Sequence, residues 1–462
     1  MKSTAFTLES EPSEARQPPD APCYPDVSMR DRISPKPRRA LSCFGALVLV
    51  VGGAAAAAAC GSDEPAAPVA AAEAGTLDAT SPDGDGRDDA RADAGGADAA
   101  SGDAASGDAA SGDAVSGDAA IAPFCRTGDD ACLARLDVGG MTFPYYRSHP
   151  LGTPNAALRD LVLVVHGVSR NASDYFATMA GLAYARDPAR YLVIAPRIQA
   201  LPTGATPCAG GVDTPAPTDL VWSCGGWLDG NKATNAATTS YGALDALVAA
   251  AKAAFPSITR VTIVGYSAGG QTVQRMASGS VEEDATPAVL TRWVVASPSS
   301  YLYFGPERLT AAASCPDAAT CALDATSFEA PYFDAAACPT YDDYKYGLNG
   351  RTGMLKTIPD ATLRARYVSR KLVHLVGEGD GDASALAKYG ELDKDCEAMA
   401  EGPVGASFRL QRGLAYHAYA TTVLGATHRL AVVPLVVNGA PCGHDQACFF
   451  ASIVAQTEIF GP

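Results

Sequence analysis

The pentapeptide Gly265-Tyr266-Ser267-Ala268-Gly269 is the part of the chain whose residue types and spacing most clearly indicate chemistry. It follows the β-branched run Thr259–Val264 and precedes a helix-like segment, Gln271–Ala277. In a G-x-S-x-G turn between a strand and a helix, the outer glycines permit a bend so tight that the serine hydroxyl projects clear of the sheet. Ser267 is therefore predicted to be a nucleophile. The alternative is an ordinary glycine-rich turn between a strand and a helix.

A serine nucleophile needs a base within hydrogen-bond reach, and the best-placed histidine is His444. It follows the last predicted strand, Leu430–Val437, and precedes the last predicted helix, Gln446–Thr457, so its loop emerges at the same sheet edge as Ser267. The other histidines fit other roles: His149 in a loop, His374 inside an apolar strand, His417 in a helical run, His428 before the last strand, and His166 as a loop-fixing residue.

The base in turn needs a carboxylate to orient it, and this is expected in the loop after the predicted strand Leu372–Val376. That loop carries Glu378, Asp380 and Asp382. Asp380 is the predicted acid, because a turn of this length usually brings its fourth residue back towards the sheet. Asp382 is the alternative acid, and an exposed acidic turn that does not reach His444 is a further possibility.

Negative charge that develops on a carbonyl oxygen requires two N–H donors near the nucleophile. The backbone N–H of Ala268, at the start of the helix after the turn, is one candidate donor. The second is the backbone N–H of Val168, in the loop His166-Gly167-Val168-Ser169 that follows another apolar strand. Gly167 allows this loop to turn its amides towards Ser267.

From about residue 121 onward, strand-like and helix-like runs alternate, and several of the strands are entirely apolar. This pattern predicts an α/β fold with a doubly wound, mostly parallel sheet. The stretch 301–358 interrupts the alternation and is rich in aromatic residues. It is predicted to be an inserted segment after the strand that follows the Ser267 turn, either a cap over the site or a unit whose rings pack its own small core.

Four segments, 161–168, 261–270, 372–382 and 442–450, together resemble the α/β-hydrolase superfamily. Within it, the chain resembles the branch of secreted bacterial esterases and polyhydroxybutyrate-depolymerase-like enzymes, a likeness that extends to residues 296–301 and 344–347. This resemblance implies the α/β-hydrolase fold and hydrolysis of acyl esters through a serine acyl-enzyme. It implies no metal and no organic cofactor.

The first quarter of the chain differs sharply in composition from the rest. Residues 1–60 form an N-terminal extension with a predicted signal peptide, in which Arg38-Arg39 precede an apolar stretch and Cys60 ends a lipobox-like sequence. Met29 is an alternative start. Residues 61–123 are predicted to be a disordered tether of net charge −12, against −16 for the whole chain. Lipidation at Cys60 is favoured over plain secretion or an uncleaved anchor, and each places residues 124–462 outside the cytoplasm.

Ten cysteines follow the tether, and an even number in an exported chain favours disulfides over metal ligands. Short separations suggest the four pairs Cys125–Cys132, Cys208–Cys224, Cys315–Cys321 and Cys442–Cys448. The remaining two cysteines would form a fifth pair, Cys338–Cys396. No spacing of these cysteines indicates a metal site, and no basic patch indicates nucleic acid. The expected partner is a small or polymeric ester. A serine peptidase, an acyltransferase and a non-catalytic binding module on the same fold are the alternatives.

Overall fold

The computed structural model describes residues 124–211, 213–382 and 392–461. The predicted signal peptide, Cys60 and the predicted tether lie outside these described residues. The organisation of the N-terminal 123 residues therefore remains a prediction from sequence.

A sheet of eight strands forms the centre of the described domain, in the order β1-β2-β4-β3-β7-β8-β11-β12. β2 runs antiparallel to both its neighbours, and all the other pairings are parallel. The strands of the described residues are β1 Leu133–Val138, β2 Met141–Arg147, β3 Asp160–Val165, β4 Tyr191–Pro196, β5 Gln199–Leu201, β6 Val221–Ser223, β7 Arg260–Tyr266, β8 Leu290–Ala296, β9 Arg308–Leu309, β10 Phe328–Glu329, β11 Leu372–Gly377, β12 Arg429–Val433, β13 Val436–Val437 and β14 Ala440–Pro441.

Helices cover both faces of this sheet, as its fully buried central strands require. The α-helices of the described residues are α1 Ala172–Arg186, α2 Ser240–Ala254, α3 Ala268–Gly279, α4 Glu282–Ala285, α5 Asp360–Ser369, α6 Cys396–Met399, α7 Arg409–Ala418, α8 Gln446–Ala451 and α9 Ile453–Phe460. One hydrophobic cluster joins β3 and β7 to α1, α8 and α9, and a second joins the opposite faces of these strands to α2, α3, α5 and α7. The domain is therefore doubly wound, and its strand order confirms the predicted α/β-hydrolase fold.

Two elements at the end of the chain differ from the sequence prediction. The predicted strand Leu430–Val437 is divided, because β12 ends at Val433 and Val436–Val437 pairs with Ala440–Pro441 in a separate hairpin. The predicted helix Gln446–Thr457 is also divided. Ser452 ends α8 and caps α9 by accepting a hydrogen bond from the N–H of Ala455, at 3.1 Å. Hydrophobic runs do not reveal such interruptions, because both halves keep apolar residues.

All five predicted disulfide pairs are present in the structure. Four of them close loops of 6 to 16 residues, and Cys338–Cys396 spans 58 residues. Disulfides of this number are typical of proteins that fold in an oxidising compartment. Among the described residues, no helix combines the length and the apolar character needed to cross a membrane.

Most aromatic rings of the inserted segment 301–358 pack inside the domain. Tyr301 and Tyr303 are fully buried and contact Tyr416 of α7 at ring-centroid distances of 4.3 and 5.0 Å. Tyr332 and Tyr341 belong to a small cluster beside the Cys338–Cys396 disulfide. These rings therefore pack inside the protein rather than line a substrate pocket, but Tyr301 and Tyr303 pack against α7 and not in a core confined to the segment.

We expect the folded state to lose stability in mild acid, because burial, as the largest cause, lowers the pKa of His149, His166 and His428 to about 4. The unfolded chain takes up these protons near pH 6.5, so the contribution of these histidines to the free energy of unfolding should fall between pH 6.5 and 4. Burial raises the pKa of Asp245 to about 7 and of Glu401 to about 8, and these two carboxyl groups offset part of that fall. The expected decrease is about 1.4 kcal/mol per pH unit for each of these histidines, with no further contribution from them below pH 4. Denaturant titrations across this range measure it.

The variant His428→Gln is the control for this pH dependence. Glutamine keeps a side-chain N–H, as needed for the 2.9 Å contact between His428 Nε2 and the carbonyl oxygen of Tyr367, but it does not titrate. Between pH 4 and 6.5, the slope of the unfolding free energy against pH should fall by about 1.4 kcal/mol per pH unit, the contribution of one proton. An unchanged slope would show that His428 does not contribute to acid sensitivity.

Candidate active site

Ser267 occupies a strained backbone position between β7 and α3. Its φ of 57° and ψ of −121° are unfavourable for a residue with a Cβ, and such strain costs about 1–3 kcal/mol. The N–H of Ser267 donates to the carbonyl oxygen of Ala296 at the end of β8, at 2.9 Å. The turn is thereby joined to the neighbouring strand. This is the geometry expected of a nucleophile elbow.

Close packing explains why residues 265 and 269 are glycines. A Cβ on Gly265 would lie 2.1 Å from the carbonyl oxygen of Gly269, and a Cβ on Gly269 would lie 2.3 Å from the carbonyl oxygen of Val165. Real Cβ atoms do not approach backbone so closely. Because both residues are glycines, the first turn of α3 can lie in direct backbone contact with β7 and with β3. This contact places the loop after Val165 next to Ser267.

The predicted acid and base contact each other. Nδ1 of His444 lies 3.0 Å from Oδ1 and 3.1 Å from Oδ2 of Asp380. Their side chains are 7% and 1% exposed, so the pair is shielded from solvent. Residues Glu378–Asp380 form a 3₁₀ turn directly after β11, and this turn directs the Asp380 carboxylate back towards the loop of His444. Asp382, the alternative acid, lies two residues further on and is exposed.

The surroundings of Asp380 favour its ionised form. Burial alone would raise the pKa of this carboxyl group, but the charge of His444, the hydrogen bond from His444 and the charge of Arg409 together lower it below its usual value. A buried carboxylate that stays ionised can hold the imidazole in one orientation and stabilise its protonated form. Arg409 begins α7, and sequence reasoning did not single it out.

Tyr266, the residue before the nucleophile, supports His444 from the other side. Its ring stacks on the imidazole with a centroid distance of 4.8 Å and an interplanar angle of 25°, and its hydroxyl oxygen lies 3.1 Å from Nδ1. Burial, followed by the charge of Asp380, raises the pKa of Tyr266 well above its usual value, so the phenol stays protonated. This contact was not predicted, because the sequence gives no sign that a residue beside the nucleophile reaches His444.

The loop 166–168 is held by hydrogen bonds that define the direction of one peptide group. The carbonyl oxygen of Gly167 accepts from the Nδ1–H of His166 at 2.9 Å and from the N–H of Arg170 at 3.0 Å. His166 is fully buried, and its Nε2 accepts from the N–H of Ile198 at 3.2 Å. In a trans peptide the N–H points opposite to the carbonyl. These contacts therefore fix the orientation of the Val168 N–H, consistent with the predicted loop-fixing role of His166.

Two cavities meet at Ser267. One, of about 170 Å³, is lined by both Ser267 and His444, together with polar residues of their loops such as Asn171 and Gln446. The other, of about 310 Å³, is lined by Ser267 and Ala268 but not by His444. Val168 lines both cavities. Of the predicted catalytic and oxyanion-binding residues, Ser267, His444, Ala268 and Val168 thus border one or both cavities at the carboxyl edge of the sheet. Asp380 and Asp382 border neither.

No side-chain cluster among the described residues forms a convincing metal site. Within the described ranges, the one group of three ligand-type side chains with atoms close enough together is Cys338, Cys396 and Glu397. The two cysteines form a disulfide and therefore have no thiolate to offer. Trp222, Trp227 and Tyr301 are fully buried and line neither cavity.

No family model and no curated protein matches the chain. Solved structures similar to it include the poly(3-hydroxybutyrate) depolymerase LpqC from Bordetella parapertussis, with 20% identity over 71% of this chain and 90% of that chain and a TM-score of 0.43. Poly(aspartic acid) hydrolase-1 from Sphingomonas sp. KT-1 has 18% identity over 70% and 98%, with a TM-score of 0.44. The siderophore hydrolase EstB from Aspergillus nidulans has 12% identity over 71% and 94%, with a TM-score of 0.33. The fold assignment rests on the strand order and the elbow themselves.

We expect Ser267→Gly to be more stable than Ser267→Ala by about 1 kcal/mol. Glycine relieves a backbone strain of about 1–3 kcal/mol, and its greater freedom in the unfolded chain offsets part of this gain. Alanine is the matched control, because it also removes the hydroxyl but retains the Cβ. Chemical unfolding of the two variants measures the difference. An alanine variant as stable as the glycine variant would mean that the turn is unstrained.

Proposed function

We propose that this chain is an exported serine hydrolase that cleaves carboxylic esters through Ser267, His444 and Asp380. One observation carries the proposal: His444, whose Nδ1 lies 3.0 Å from the Asp380 carboxylate, lines the same cavity as the strained Ser267. A buried carboxylate, an imidazole and a serine on a strained turn form the arrangement that activates a hydroxyl group for acyl transfer.

In the first step, the Ser267 hydroxyl attacks the ester carbonyl carbon, and Nε2 of His444 takes the hydroxyl proton. Asp380 accepts the Nδ1–H of His444, which orients the ring and stabilises the imidazolium. The former carbonyl oxygen becomes an anion, and the backbone N–H groups of Ala268 and Val168 are the proposed donors to it. Removal of one such donor typically costs about 10²–10³ in rate.

In the second step, the tetrahedral intermediate collapses, and the carbon–oxygen bond to the leaving alcohol breaks. The imidazolium of His444 gives its proton to that alcohol, which leaves an acyl group on Ser267. Water then attacks the acyl-enzyme with His444 again as the base, and the same proton relay releases the acid. No metal or organic cofactor takes part in this proposal.

The proposed location is the bacterial cell envelope or the extracellular space. Five disulfides support an oxidising compartment, and the lipobox-like sequence at Cys60 together with the acidic tether supports a lipid anchor. In this arrangement the chain contacts a membrane only through its N-terminal lipid.

We expect a fluorophosphonate probe to label the domain at Ser267, and p-nitrophenyl acetate to be hydrolysed, because both report an activated serine. Ser267→Ala should lose the label and lower kcat/KM by about 10⁶. Label that persists in Ser267→Ala would identify another nucleophile. A wild-type domain that is neither labelled nor active would support a non-catalytic binding module. Faster turnover of peptides, or of acyl acceptors other than water, would indicate a peptidase or an acyltransferase.

We expect Asp380→Asn to lower kcat by about 10⁴, because an amide in place of the carboxylate no longer stabilises the imidazolium and favours the wrong tautomer of His444. Asp382→Asn is the matched control, since it removes an exposed carboxylate two residues away, and its kcat should stay within about threefold of wild type. Steady-state kinetics of both variants measures the difference. The reverse ranking would assign the orienting role to Asp382.

A further inference from the structure

The larger of the two cavities at Ser267 is lined by both apolar and polar residues. The apolar residues include Val168, Ala209, Leu228 and Leu392. The polar residues include Gln271, Ser299, Lys345 and Asp393, of which Lys345 and Asp393 carry opposite full charges. A hydrocarbon chain would pack against the apolar residues, but it would offer no hydrogen bond to the two charged ones.

Lys345 and Asp393 form a loose ion pair at this cavity. Nζ of Lys345 lies 3.4 Å from Oδ2 of Asp393, and the two side chains are 29% and 12% exposed. Asp393 is held in place, because its Oδ2 accepts from the hydroxyl of Tyr346 at 2.8 Å and its Oδ1 accepts from the N–H of Asp395 at 3.2 Å. The ammonium group has three N–H donors, and one contact with Asp393 leaves donors available for a ligand.

The position of His444 indicates which part of an ester occupies which cavity. The proposed mechanism requires the imidazole to give its proton to the leaving alcohol, so the alcohol must lie on the side of His444. His444 lines the smaller cavity and does not line the larger one. The acyl group therefore extends from Ser267 into the larger cavity, towards Lys345 and Asp393.

We propose that this cavity selects acyl groups that carry an uncharged polar group able both to accept and to donate a hydrogen bond. Such a group would accept from Nζ of Lys345 and donate to the carboxylate of Asp393. A purely alkyl chain would displace water from the pair without replacing its hydrogen bonds, and a charged group would repel one of the two partners. The inference rests on the proposed ester hydrolysis and specifies its substrate class.

Two p-nitrophenyl esters with the same number of acyl chain atoms test this selectivity. One is the 4-acetamidobutanoate, which carries an amide, and the other is the heptanoate, which is entirely alkyl. We expect wild-type kcat/KM to be about tenfold higher for the amide ester, as one hydrogen bond to a charged group would produce. Lys345→Met should reduce this ratio to about one. A third ester, the p-nitrophenyl monoester of adipic acid, carries a carboxylate and should be a poor wild-type substrate.

The variant Asp393→Asn provides the reciprocal measurement, because it leaves the charge of Lys345 uncompensated. It should raise kcat/KM for the adipate monoester several-fold, whereas Lys345→Met should lower it further. Asp395→Asn is the matched control, since Asp395 also accepts from the Tyr346 hydroxyl, at 3.1 Å, but does not line the cavity. Lys356→Met, at an exposed lysine outside the cavity, is the control for Lys345→Met.

p-Nitrophenyl acetate separates failure of this inference from failure of the proposed function. Its acyl group carries no polar group for the pair, so wild type and the control variants Asp395→Asn and Lys356→Met should hydrolyse it at similar rates. If acetate is hydrolysed but the amide-to-alkyl ratio is near one in wild type, or is unchanged in Lys345→Met, the inference is wrong and the ester hydrolase proposal stands. A wild-type preference for the adipate monoester would also overturn it. If wild type hydrolyses none of the esters, both proposals fail.

Discussion

The backbone conformation of Ser267 is the constraint on which the rest of the site depends. A residue with a Cβ at φ 57° and ψ −121° persists only where the surrounding structure holds it. Here the N–H of Ser267 is bonded to Ala296 of β8, and Gly269 packs against Val165 of β3. The strands on both sides of β7 therefore determine the position of the serine. The stability of the buried sheet compensates for the backbone strain of this one residue.

The same contacts determine where the other groups must be. Because Gly269 lies against Val165, the loop that begins at His166 starts within contact of the nucleophile. Its Val168 N–H can then be oriented by hydrogen bonds to the preceding carbonyl. On the other side, Asp380 lies in the turn directly after β11, and His444 follows the β13–β14 hairpin that comes after β12, the parallel neighbour of β11. Assembly of the site is thus a consequence of strand order.

This dependence explains which parts of the site could be predicted from sequence. The elbow and the position of His444 follow from chain order, because residues after parallel strands meet at one edge. The choice of Asp380 over Asp382 as the partner of His444 followed from the length of the turn, but the 3₁₀ conformation that directs the carboxylate is encoded by no local pattern of charges. The stacking of Tyr266 on His444 could not be predicted, because it joins residues 178 positions apart. The presence of two separate cavities at Ser267 could not be predicted either, because it depends on how several loops pack together.

Disulfides hold the loops that carry the two sides of the site. Cys208–Cys224 ties together the segment that contains Ala209, in the wall of the larger cavity, and Cys442–Cys448 encloses His444 beside the smaller one. Long surface loops lose much conformational freedom when they order, and a covalent link reduces that loss by restricting the unfolded chain. The sheet determines the position of Ser267, whereas the walls around it rely on cross-links. Backbone packing in the sheet therefore stabilises the geometry of the nucleophile, whereas disulfides stabilise the shape of the binding cavities. Only the cavities depend on an oxidising environment.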